Sequence, residues 1–298
     1  MRARIKGAAG ILLFSLGSAA FAQDKPPQEK PVETRAEAGP IRPPEGTVIV
    51  NLPSAEVNAP RTLQLHFTHR FSQPISDSNI HSLFSFDSGA DVGIGLSYVP
   101  IKDLEVGFLR NRSLEDYELW AKYRIPALPE GPVALALRVG GDARTESTPS
   151  LCETAPRPAA CSFADHKYSF FAQAIGGVTL FSRIRLTAVP TFVSYSAQQP
   201  FVVSESVHKN VFNFPFAAAI AVTRSVNVQA EVVPRMSRAN AGGVGWIVAV
   251  EKTVLRHRFS FTLGNLRPTT VDQYVGADFG SRPGDYFIGF NIIRQWKL

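Results

Sequence analysis

The chain has 298 residues, 45% of them hydrophobic, with a mean hydropathy near zero and a formal net charge of +6. No apolar run reaches the roughly 20 residues of a membrane-spanning helix, which excludes a helical membrane protein but not a β-barrel, whose strands carry a weaker hydropathy signal. Arg2, Arg4 and Lys6 lie in a leader, and removing these three from the 31 bases leaves 28 against 25 acids, a balance of +3 that makes no electrostatic case for nucleic acid.

The leader comes first in chain order. Residues 1–22 combine a basic start, an apolar stretch from Ala8 to Leu16, and Ala20-Phe21-Ala22 before Gln23, the pattern of a signal peptide cleaved near Ala22. Residues 23–60 carry eight prolines among Glu, Lys, Arg and Ala, a composition that cannot bury enough apolar area to offset chain entropy. They read as a Pro-rich periplasmic segment. Within it Thr47-Val-Ile-Val-Asn-Leu52 is apolar enough to pack, either as a small plug in a barrel mouth or as a sticky piece of linker, and the linker is the preferred reading.

From residue 61 the pattern changes to strands, expected near 62–72, 90–98, 103–110, 116–124, 132–141, 167–176, 183–195, 210–221, 226–235, 245–252, 256–264 and 286–296. In Asp116-Tyr-Glu-Leu-Trp-Ala-Lys-Tyr-Arg124 the even positions are charged or Trp and the odd ones apolar or Tyr, a period of two. The same alternation recurs in Leu63/Leu65/Phe67, Leu104/Val106/Phe108, Phe212/Phe214/Phe216 and Phe259/Phe261/Leu263, with no charge at mid-strand in the apolar phase. A soluble sandwich would bury that phase between sheets, whereas a membrane barrel turns it to lipid. Connection lengths decide between them: every even-numbered connection is brief and the odd ones are longer, as in outer-membrane barrels with short periplasmic turns and long external loops. Tyr98, Tyr117, Tyr123, Tyr168, Trp246, Tyr286 and Trp296 fall near strand ends, where an interfacial aromatic belt belongs. The fold expected is therefore all-β, a single closed antiparallel transmembrane β-barrel of about 12 strands spanning 61–298.

The run Leu65-His-Phe-Thr-His-Arg-Phe71 followed by Phe86-Asp-Ser-Gly-Ala-Asp-Val-Gly-Ile-Gly-Leu96 resembles the opening of a family of bacterial outer-membrane β-barrels classed as a domain of unknown function, DUF5777. That resemblance covers about residues 48 to 298 and implies a fold and a location without an activity.

The opposite phase would line the interior, and its charges are the candidate functional residues: Arg70, Asp91, Glu105, Glu118, Lys122, Arg124, Arg138, Arg183, Arg185, Glu231, Arg235, Glu251 and Arg258. They either close the lumen by pairing or line a narrow watery path. Cys152 and Cys161, in the longest loop with Pro156 and Pro158 between them, are expected to form a local disulfide in an oxidising envelope. No metal site is assigned, because His66 and His69 point to opposite faces of one strand. No catalytic residue is assigned either: a hydrolase in the wall needs Ser and His on the lipid side, and no such Ser stands at a credible spacing from His69 or His257. The expected partners are outer-membrane lipid, the barrel-assembly machinery and a small polar solute, with no cofactor and a monomeric state. Passage or binding of that solute is the expected role, with a closed structural or partner-binding barrel as the alternative.

Overall fold

The computed structural model describes residues 41, 44–126, 132–145, 167–195, 210–234, 236, 244–276 and 284–298. The expected signal peptide, most of the Pro-rich segment, Arg235 and the Cys152–Cys161 pair lie outside the described residues.

Twelve strands build the wall: β1 (Thr62–Phe71), β2 (Ala90–Ile101), β3 (Leu104–Asn111), β4 (Asp116–Arg124), β5 (Val133–Arg144), β6 (Tyr168–Leu180), β7 (Ile184–Ala188, resumed at Thr191–Ser194), β8 (Asn210–Asn213, resumed at Phe216–Ala221), β9 (Val226–Val233), β10 (Gly245–Val254), β11 (His257–Gly264) and β12 (Phe287–Lys297). Each pairs antiparallel with the next, and β12 returns to β1 in a register running from Gly289 opposite Arg70 to Lys297 opposite Thr62. The sheet is a closed cylinder with no free edge, which removes the liability of unpaired strand edges. The pauses in β7 and β8 have one cause. Pro190 and Pro215 carry no N–H for the ladder, yet both still accept: Val189 N donates to the Pro215 carbonyl at 2.8 Å and Ala174 N to that of Pro190 at 3.0 Å.

Side-chain orientation follows the alternation. In β11, Phe259 and Phe261 are 44% and 52% exposed on the outer surface, while the intervening Arg258, Ser260 and Thr262 are buried. Ile94, Phe108, Leu119, Leu137, Phe212, Val228 and Val250 are exposed on the other strands in the same way. Phenylalanines exposed in rows are intolerable in water and expected against hydrocarbon, so the cylinder wears its apolar face outward. Where the wall must admit a large inner side chain it thins to glycine: a Cβ at Gly107 would stand 2.2 Å from the Trp120 ring.

Among the described residues, two segments fill the interior. Thr47–Leu52 is not a linker: Val48–Ile49 and Leu52–Pro53 pair as a two-stranded hairpin, with Val50 at φ 45° in its turn, and it is the wall that gives its polar groups partners. Part of the long connection after β11, expected to be an external loop, folds inward as a short helix, α1 (Val271–Gly276). One apolar cluster unites Ile49, Val50 and Leu52 of the hairpin, Val271, Tyr274 and Val275 of α1, and the inward-facing Ile175, Val193, Val211, Val233 and Ile247. The inner surface is thus mixed, charged on one sector and aliphatic on another.

Candidate functional site

The charges of the inner wall are placed by strand register. Glu105 and Lys122 are direct partners across β3 and β4, and the ammonium stands 2.8 Å from the carboxylate. The remaining donor capacity of Lys122 is spent on main-chain oxygens of the N-terminal segment, Glu56 O at 2.8 Å, Ser54 O at 3.3 Å and Thr47 O at 3.4 Å. Arg258 pairs with Glu251 at 2.7 Å and reaches Val48 O at 3.2 Å. Arg138 lies between the Trp120 and Phe171 rings, 4.7 and 4.9 Å from their centres, and bonds Glu118 and Gln173. Stacking on both faces and a carboxylate at the edge suit a planar guanidinium in a way an ammonium could not match.

Other wall groups depend on the hairpin. The Glu231 Oε1 accepts from Asn51 N at 2.7 Å and Leu52 N at 2.6 Å, two amides at the hairpin turn. Gln229 takes Val50 N at 3.4 Å and Asn291 donates to Val50 O at 3.0 Å. Arg70, fully buried, binds Asn291 Oδ1 at 2.7 Å and Asn51 Oδ1 at 3.0 Å rather than a carboxylate. Arg124 and Arg185 face Glu56, at 3.6 and 3.4 Å.

The structure thus brings Arg70, Glu105, Glu118, Lys122, Arg124, Arg138, Arg185, Glu231, Glu251 and Arg258 to the interior or its mouth. Asp91 stands directly opposite Arg70 across β1 and β2, and it accepts from Ser113 N at 2.9 Å and Asn111 Nδ2 at 3.3 Å and so ties down the connection after β3. Arg183 is a correction. It lies in the turn before β7 and is exposed, because the chain reverses at Phe181 and Ser182 with positive φ before the strand begins.

At the other end of the lumen stands a cluster of which the sequence pattern places only Asp116 on the inner face. Asp116, Asp142 and Asp272 are buried with one oxygen each within 4.8 Å of one another. Thr270 Oγ1 and Gln273 Nε2 donate to Asp116, Ser169 to Asp142, and Arg144 Nε lies 3.7 Å from Asp272. Burial raises the pKa of Asp272, and the neighbouring Asp116 raises it further. Glu118 accepts Val271 N at 2.7 Å, and Tyr274 receives Gln173 Nε2 at 2.7 Å, so α1 is fixed at its first amide and along its inner face. Oxygen-only donors of this kind would suit a hard cation or a shared proton.

His66 and His69 do diverge. His66 joins Gln64 at 2.6 Å and lies 3.5 Å from Ser97 in the lumen, and His69 stacks on Phe290 at 4.7 Å on the outer wall.

A family model described as a membrane bound beta barrel domain (DUF5777) matches residues 45–296. No curated protein matches the sequence. Among solved structures, the NanC porin is 9% identical with a TM-score of 0.48, covering 79% of this chain and 100% of its own. An outer membrane channel from Pseudomonas putida F1 is 13% identical with a TM-score of 0.49, covering 81% and 97%. The outer membrane phospholipase A from Escherichia coli is 10% identical with a TM-score of 0.40, covering 84% and 96%.

Proposed function

The chain belongs to the membrane-bound β-barrel family DUF5777, and from that premise we propose that this outer-membrane barrel passes a small polar solute through a lumen its own N-terminal hairpin closes at rest. It does so without catalysis. The supporting observation is where the wall's polar groups find partners: Glu231 Oε1, Asn291 Nδ2, one nitrogen of Arg70 and the Lys122 ammonium all bond to the hairpin or to the residues just after it. A barrel that needed only to be rigid would be filled at lower cost by apolar side chains, since buried ions must overcome several kcal/mol of desolvation each. Polar and ionisable groups facing a separate segment of chain suit an interior that exchanges that segment for water and solute.

Planar-bilayer recording tests the reading. The full chain is expected to be closed most of the time. A variant lacking residues 44–58 and carrying Tyr274→Ala, which empties the lumen from both ends, is expected to give discrete steady currents. The alternative, a closed barrel that serves as a structural or partner-binding element, is favoured by the apolar cluster shared by α1 and the wall. Silence of that variant in repeated reconstitutions, with heat-modifiable gel mobility showing it folded, would select this alternative.

A further inference from the structure

We propose that the mouth of the barrel on the side of the short connections holds a binding site for a small anion, a carboxylate or phosphate, which the Glu56 carboxylate occupies at rest. The inference rests on the hairpin being a removable plug, and it names the class of solute.

Glu56 offers one oxygen to each of two arginines from different strands, Oε1 to Arg185 Nη2 at 3.4 Å and Oε2 to Arg124 Nη1 at 3.6 Å. Two guanidinium groups converging on one carboxylate is an arrangement that also accepts phosphate. A third arginine stands beside them. Arg258 and Arg124 both repel Arg185, and Glu56 and Glu45 of the N-terminal segment attract it. Arg258 is 7% exposed, and among the described residues its Nε and Nη1 have no hydrogen-bond partner although Nη2 is engaged. Gly46 lies against that guanidinium so closely that a Cβ would fall 2.0 Å from Nη1. The N-terminal segment therefore covers a donor that it does not satisfy.

Charge bookkeeping gives the sign. At this mouth the wall supplies Lys122, Arg124, Arg185 and Arg258 against Glu105 and Glu251. The acids that complete the balance, Glu45 and Glu56, belong to the segment that leaves. Withdrawal of the hairpin also strips Arg70 of Asn51 and leaves Glu231 as the acid uncovered with it. The opened mouth is thus net positive, with four bases of the wall against two acids. Glu56 and Arg124 are partly exposed, with side-chain exposures of 31% and 41%, so solution anions reach the pair.

The test uses the full chain folded in detergent, with inorganic phosphate as the probe in isothermal titration. Glu56→Gln frees both arginines while leaving the Lys122 contact to the Glu56 carbonyl, and it is expected to bind phosphate about tenfold more tightly than the wild type. The double variant E56Q/R185Q is expected to lose that gain. Equal binding by E56Q and wild type, or by E56Q and the double variant, would overturn the site, as would binding only to micelles containing phosphatidylglycerol and not to phosphate. Heat-modifiable mobility checks that each variant is folded. The titration needs no current, so a silent barrel that binds phosphate ends the passage reading and keeps the site. Conversely, a conducting barrel whose E56Q variant gains nothing keeps passage and ends the anion assignment.

Discussion

The hairpin at 47–53 and helix α1 both fill the lumen, but the wall holds them by opposite parts of the chain. The hairpin is gripped by its main chain: Asn51 N and Leu52 N go to Glu231, Val50 O to Asn291, Val48 O to Arg258, and Thr47 O to Lys122. Helix α1 is held mainly by side chains, with Tyr274 on Gln173, Gln273 and Thr270 on Asp116, and Val271, Tyr274 and Val275 in the apolar cluster. Main-chain groups are the same in every residue, so the specificity of hairpin docking resides in the wall. For α1 it resides in the insert itself. Substitutions on the two sides of each contact should therefore have unequal effects.

The largest effect is expected from Tyr274→Ala. It removes a fully buried aromatic ring and its hydroxyl contact, and by analogy with buried Phe and Trp truncations should cost about 3–5 kcal/mol of α1 docking. Hydrogen exchange should then speed up at 271–276 and stay slow at 48–53; loss of protection in both together would mean that the inserts form one unit. Next is Glu231→Ala on the wall, which leaves the buried Leu52 N without an acceptor at about 1–3 kcal/mol and the half-buried Asn51 N, which water can reach, at little further cost. Here exchange should rise at the hairpin alone. Unchanged exchange would show that the apolar contacts of Ile49 and Leu52 hold the hairpin without the carboxylate.

The comparison also explains what could be read from sequence. The outer wall was legible strand by strand because lipid demands an uninterrupted apolar phase: Phe259 and Phe261 face out, as their spacing dictates. The inner charges were legible to their face, and neighbours such as Glu105 and Lys122 follow from that face plus antiparallel register. The fillers were not. Thr47–Leu52 has no period that marks it as a hairpin, and what makes it one is the set of partners contributed by Glu231, Asn291 and Lys122 from far along the chain. In α1, Val271, Tyr274 and Val275 have helical spacing, but six residues show less than two turns of it. Asp142 and Arg144 were missed because Gly140-Gly141 reads as the end of a strand, whereas β5 continues past it.

A smaller effect separates the inserts by pH. The pKa of Asp272 is raised above its ordinary 3.8, first by burial and then by Asp116, so the folded state retains a proton that the undocked segment gives up. Asp142, Arg144 and Glu118 of the wall surround the same end of α1. With the folded value above the free one, the contribution is complete below the ordinary carboxyl value and falls as pH rises from there through the raised folded value. Exchange at 271–276 should be slowest in acid, and Asp272→Asn should flatten this dependence; an unchanged profile in the variant would remove Asp272 as its source.

The smallest effect is expected at Arg124→Gln. Arg124 is 41% exposed in its side chain and 3.6 Å from Glu56, a pair of the surface class that contributes about 0.2–1 kcal/mol. The hairpin keeps Glu231, Asn291 and Lys122, so its exchange should rise only slightly. In molar salt, where the screening length is about 3 Å, wild type and variant should become indistinguishable, because both then lack this attraction. Persistence of the difference at high salt would mean that Arg124 supports the mouth by packing rather than by charge, and that the main-chain grip on the hairpin extends to the rim of the barrel.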